Sequence, residues 1–152
     1  MFPFKKILCP TDFSEPSQCG LRMANEMARK FDSEIIVLNV HKPIPHLPTP
    51  RIEASDITFD VTAYENHVAE DAVENLAVLS GAIFDDEISV RHEVRMGRPA
   101  HEILKFAEEE GVDAIFIATH GRTGLKHIMF GSVATVVVRR APCVVLTIRA
   151  CD

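Results

Sequence analysis

Apolar positions along the chain fall into two alternating textures. Short, nearly continuous runs rich in β-branched residues are separated by longer segments in which apolar residues return every three or four positions. Lys6 to Pro10, KILCP, is the first run; proline and then Thr11-Asp12 close it, which predicts a strand ending in a loop. Ser14 stands where the following helix needs a cap, and Pro16 falls in the first turn, where its missing N–H costs nothing. Leu21, Ala24, Ala28 and Phe31 share one face of that helix, with Arg22, Glu26, Arg29 and Lys30 on the others. Glu34 to Val40, EIIVLNV, has the texture of a strand covered on both faces.

The pattern then lapses. His41 to Ile57 is polar and proline-rich and predicts a long loop, of a length that suits a lid or a partner surface. From about Asp60 to Leu79, Tyr64, Val68, Leu76 and Leu79 are set against Glu65, Glu70, Asp71 and Glu74, which predicts a second amphipathic helix. Ile88 to Arg95, ISVRHEVR, alternates like a half-exposed edge strand. Gly97 turns the chain, Pro99 opens a helix bearing Ala100, Ile103, Leu104 and Ala107, and Gly111 closes it. Asp113 to Thr119, DAIFIAT, and Cys143 to Ile148, CVVLTI, are two further apolar strands.

Strand and helix thus alternate, the pattern of an α/β protein whose parallel sheet is covered on both faces. Right-handed crossovers make a Rossmann-like, doubly wound, five-stranded parallel sheet of order 3-2-1-4-5 the expected architecture. At 152 residues, this fills one domain spanning 1–152. Ligands of such sheets sit beyond the carboxyl ends of the strands, where the order reverses. Those ends are Pro10 to Asp12 and Ala118 to Gly121.

The segment after the fourth strand has chemistry to offer there. Gly121 lets backbone turn sharply or approach a ligand closely. Gly131-Ser132 opens a short helix, Val133 to about Arg139, whose free N–H groups and positive end form an anion site. Ser132 can cap that helix or bond a phosphate, and Thr135 lies one turn in. Val136 to Val138 favour strand on propensity, but the crossover requires a helix, and Arg139-Arg140 suits its C-terminus. Glycines in such a loop also serve plain turn geometry, so spacing alone leaves both readings open. The Gly-Lys-Ser/Thr of a Walker A loop is absent, and CPTDFSE after the first strand has no glycine for a dinucleotide fingerprint.

Composition trims the alternatives. A net charge of −6 without a long basic stretch argues against nucleic acid. No run reaches the ~18 apolar residues of a membrane span, and MFPFKKILCP lacks the pattern of a signal peptide. A cytoplasmic location is expected. Cys9, Cys19, Cys143 and Cys151 show no zinc spacing; Cys9 and Cys143 lie in apolar runs and read as small hydrophobes. His41 and His46 fall short of a metal-ligand set.

The glycine-bearing stretch after the fourth strand also carries a resemblance. Ala118-x2-Gly121-x9-Gly131-Ser132 resembles the G-x2-G-x9-G-[S/T] nucleotide-binding signature of the universal stress protein family, with Ala118 in place of its first glycine. KKILCPTDFSEPS, GRPAHEIL and APCVVLTIR resemble that family's opening strand and acidic loop, third-helix entry and closing strand. The resemblance implies an adenine nucleotide, ATP or AMP, with magnesium as a candidate bridge. It implies that Pro10, Thr11 and Asp12 face the adenosine, Asp12 through ribose or a metal-bridged phosphate, and that Val40 lines the adenine pocket. Around the phosphates it places Gly121, Arg122, Gly131, Ser132, Val133 and Thr135. The alternative for Asp12 is an ordinary loop aspartate capping the helix. A homodimer through the last strand, Cys143 to Ile148, is implied too, as is a stress-response role with a regulatory protein partner of unknown identity. No dedicated general base stands beside the loop, which favours a binding regulator over an enzyme; a slow ATPase and a nucleotide-free scaffold are the alternatives.

Overall fold

The computed structural model describes residues 3–43, 61–120 and 130–149. The loop expected from His41 to Ile57 lies outside the described residues from residue 44 onward, as do Gly121, Arg122 and Cys151. Within them the chain alternates as β1 Lys6–Thr11, α1 Glu15–Phe31, β2 Glu34–His41, α2 Val61–Ile83, β3 Val90–Met96, α3 Pro99–Glu110, β4 Ala114–Ala118, α4 Ser132–Arg140 and β5 Val144–Ile148. All strand pairs are parallel. The five strands lie in the order β3-β2-β1-β4-β5 anticipated from the crossover rule.

Strand alternation sorts the core into two layers. Ile7, Cys9, Ile35, Val37 and Phe116 pack beneath Leu21, Ala24 and Ala28 of α1 and Leu76 of α2. On the opposite face, Leu8, Ile36, Leu38, Ile115 and Ile117 meet Ile103 and Phe106 of α3 and Ala134 and Val137 of α4. The inner strands β1, β2 and β4 are therefore buried and largely apolar along their middles, while β3 and β5 are half-buried edges. The valines of α4 are helical: the crossover from β4 to β5 overrides their strand propensity.

Local chemistry fixes the entry and exit of each unit. At the foot of the sheet, the Asp113 carboxylate accepts the backbone N–H groups of Lys5 and Lys6 at 2.8 and 2.9 Å, tying β1 to the start of β4. The helices α1 and α3 end on left-handed residues, Asp32 at φ 54° and Gly111 at φ 59°. Cys9 is fully buried and its thiol is pushed up by desolvation, and Cys143 is shifted the same way. Both are free cysteines that act as small hydrophobes.

Helix α2 runs four residues past the Leu79 expected from periodicity, because Ser80 faces inward. Its hydroxyl meets the imidazole Nε2 of His92 on β3 at 2.8 Å. Burial lowers the His92 pKa, so the unfolded chain takes up a proton first as pH falls. The stabilising contribution is complete above the unfolded value of about 6.5 and declines below it. Urea unfolding followed from about pH 7.5 to about pH 5.5 is expected to show a falling midpoint in the native protein and a shallower fall in His92→Gln.

Candidate functional site

The two ladders of β1 differ in length. Against β2 it pairs from Lys6↔Glu34 to Thr11↔Asn39, but against β4 its partners are Ile7↔Ala114 and Leu8↔Ile115. Pro10 has no N–H to offer, and past Leu8 the strands β1 and β4 part. A cleft of about 520 Å³ opens at that end, within the ~300–1,000 Å³ of small-molecule sites.

Its walls and its rim differ in character. Leu38, Val40, Ile103 and Ile117 supply apolar surface from β2, α3 and β4, while Asp12, Lys42, His120 and Ser132 bring polar and charged groups. Helix α4 starts at the same cleft. Gly131 is its N-cap, extended at φ −66°, and Ser132 is its first residue. The expectation of a Ser132 cap is thus displaced by one position, and neither residue supplies a side-chain cap bond. Among the described residues the N–H groups of the first turn stand at a positive helix end without a side-chain cap. Arg139 and Arg140 occupy the last turn, as the helix dipole favours.

Gly131 is favoured by proximity and not by its backbone angles. Its N–H donates to the carbonyl of Thr119 at 2.6 Å, and a Cβ at this position would stand 3.2 Å from the same oxygen. This contact folds the α4 entry onto the end of β4. Thr119 also meets the Nδ1 of His120 through its hydroxyl at 2.9 Å.

Asp12 does two things at once. Its Oδ1 accepts the Ser14 backbone N–H at 3.1 Å and the Ser14 hydroxyl at 2.5 Å, so it shapes the turn before α1. It also lines the cleft, so the turn-shaping contact and the cleft-lining position coexist. Ser14 is the α1 N-cap by position, but its hydroxyl serves Asp12 and makes no cap bond.

Pro10, Thr11, Asp12, Val40, Ala118, Gly131, Ser132 and Val133 all line this one cleft. Thr135 is not among the lining residues: it is exposed, and its hydroxyl donates back to the Gly131 carbonyl at 3.0 Å. A threonine four residues into a helix turn reaches its own backbone more readily than a ligand ahead of the helix. Sequence reasoning had assigned no cleft role to Asn39, Ser17, Pro99 and Ile103, which also line it. Pro99 and Ile103 already read correctly as helix opener and core residue; only the packing of α3 beside the strand ends gives them a second surface.

Comparison with known proteins agrees with this geometry. The Universal stress protein family matches residues 3–149. Universal stress protein MJ0531 of Methanocaldococcus jannaschii is 32% identical over 96% of this chain and 82% of its own. The solved structure of MJ0577 from the same organism superposes with a TM-score of 0.80 at 30% identity, covering 98% of each chain. A universal stress protein family protein of Arabidopsis thaliana, solved with AMP bound, shares the fold at a TM-score of 0.60 and 17% identity over 97% of this chain and 93% of its own.

The closeness of Gly131 to Thr119 has a measurable consequence. Gly131→Ala is expected to destabilise the protein by roughly 1 kcal/mol or more, the cost of overpacking against backbone that cannot yield freely. Gly81→Ala, whose new methyl meets nothing within 4 Å on α2, should instead stabilise by up to about 1 kcal/mol. Chemical denaturation of the two variants should therefore give shifts of opposite sign.

Proposed function

Because this chain belongs to the universal stress protein family, we propose that its cleft binds an adenine nucleotide, ATP or AMP, and that the protein is a nucleotide-binding regulator of the stress response. The observation that carries the reading is the junction itself: an apolar slot between β1 and β4 that runs onto the N-terminus of α4, which has no side-chain cap among the described residues. An apolar slot accepts a base and a helix N-terminus accepts phosphate. The AMP held by the Arabidopsis thaliana protein supports the choice of ligand.

The residues present fit such a ligand. Pro10, Thr11 and Asp12 would hold the adenosine and Val40 would line the base pocket. Ala118, Gly131, Ser132 and Val133, with Gly121 and Arg122, would receive the phosphates, and Thr135 would brace the helix end. Magnesium, where a polyphosphate binds, would be held by the Asp12 carboxylate and would neutralise part of the phosphate charge. Asp12 is already engaged by Ser14, which favours binding over rapid hydrolysis. The regulator would be a cytoplasmic, single-domain protein acting through a protein partner. No helix among the described residues is long and apolar enough to cross a membrane. The edge strand β5 exposes Leu146, with Val138 of α4 exposed as well, and supports a homodimer paired along that edge.

Denaturing the purified protein and identifying any released nucleotide tests the reading directly. AMP or ATP should be recovered at near one per chain from the native protein and lost from Gly131→Asp. Ser132→Ala should weaken binding roughly 10- to 100-fold, as expected for one hydrogen bond to a charged group. Rapid turnover abolished by Asp12→Ala with binding retained would make the protein an ATPase, and no nucleotide at any concentration would make it a scaffold. For the dimer, Leu146→Glu should shift size-exclusion elution to the monomer position; a native protein that already elutes as a monomer removes that element.

A further inference from the structure

The turn that carries Asp12 is held in an unfavourable backbone conformation. Phe13 has φ 65°, in the left-handed region where a bulky side chain is a genuine outlier. Such a residue persists only when its surroundings fix it, and here they do so through a connected set of side chains. The Phe13 N–H donates to Thr11 Oγ1 at 3.1 Å. Ser17 Oγ donates its single proton to the Ser14 carbonyl at 2.7 Å, so the 2.9 Å contact between Thr11 and Ser17 has Thr11 as donor. Ser14 in turn donates twice to Asp12.

The set is anchored on the neighbouring strand. Asn39 stands opposite Thr11 in the β1–β2 register and is buried, and its Nδ2 donates to the Thr11 carbonyl at 2.7 Å. That carbonyl is the last of β1, so a side-chain amide takes the place of the next ladder bond and lets the backbone leave the sheet. The other end of the same amide, Oδ1, is buried without a hydrogen-bond partner among the described residues. An unmade buried hydrogen bond is costly, and a leucine of similar size would avoid it. The position is better explained by what its N–H groups hold than by packing.

We infer that Asn39 is a positioning residue for the cleft: it locks Thr11, and through Thr11, Ser17 and Ser14 it sets the Asp12 carboxylate in its ligand-facing place. The inference rests on the reading of the cleft as a nucleotide site with Asp12 as a contact. It adds a residue outside the Gly131-Ser132 signature, on the strand face opposite to Leu38 and Val40.

A double-mutant cycle tests it, with AMP as titrant and amide exchange as a ligand-free readout. Asn39→Leu should weaken AMP binding about tenfold in the native background and by less than about threefold when Asp12→Ala is already present. Exchange of the Phe13 and Ser14 amides should quicken about tenfold, while amides in the β2 core keep their protection. Should Asn39→Leu fail to fold, Thr11→Val removes the hydroxyl link and should produce the same exchange pattern. Equal losses of affinity in both backgrounds, or unchanged exchange at Phe13 and Ser14, would overturn the inference. A native protein that binds no AMP would instead overturn the nucleotide reading, with the exchange data still deciding whether Asn39 holds the turn.

Discussion

A central strand that must pair on one side and release on the other governs this molecule. Proline is normally shut out of such strands, because it cannot donate to a ladder. Pro10 is tolerated in β1 because it stands where the ladder to β4 has already ended at Leu8, while the ladder to β2 continues to Thr11. The break is thus local and directional. It leaves β1 anchored at its foot by Asp113 and along one edge by β2, and opens the other edge into the cleft.

Everything placed around the cleft follows from how the chain returns to that gap. The order reverses at β1, so α1 and α2 cover one face and α3 and α4 the other. The α4 entry is pulled against the end of β4 by the short Gly131-to-Thr119 contact, which points the helix N-terminus at the opening. On the β1 side, the strained Phe13 turn is held by hydroxyls and one buried amide, not by the apolar core alone. The two lips of the cleft are therefore held by different means: one by backbone proximity that crowds a Cβ, the other by a side-chain network.

The period-two alternation of β2 divides labour within a few residues. Leu38 and Val40 face α3 and α4 and form apolar wall, whereas Asn39 falls on the face shared by Ile35 and Val37 and reaches the end of β1. In the sequence, EIIVLNV reads as one uniform strand, and its single asparagine carries no signal. Ser17 is similarly silent, an ordinary residue in a first helical turn until it is seen against Thr11. Thr135 shows the converse: its place one turn into α4 and the family resemblance suggested a ligand role, whereas its hydroxyl donates to the Gly131 carbonyl.

Sequence by itself determined the alternation of strands and helices, the handed order of the sheet, and the location of the switch point. Those depend on short-range periodicity and on a chirality rule that every L-peptide obeys. Pro10, Asp12, Gly131 and Ser132 were legible as cleft-lining positions because each lies at an element end beside the switch point, whereas Val40 entered only through the family resemblance. Only the tertiary structure decided which hydroxyls and amides meet across β1, β2 and α1, and which face outward from α4. Such pairings depend on distances of about 3 Å between residues up to 28 positions apart, and no local pattern in the chain encodes them.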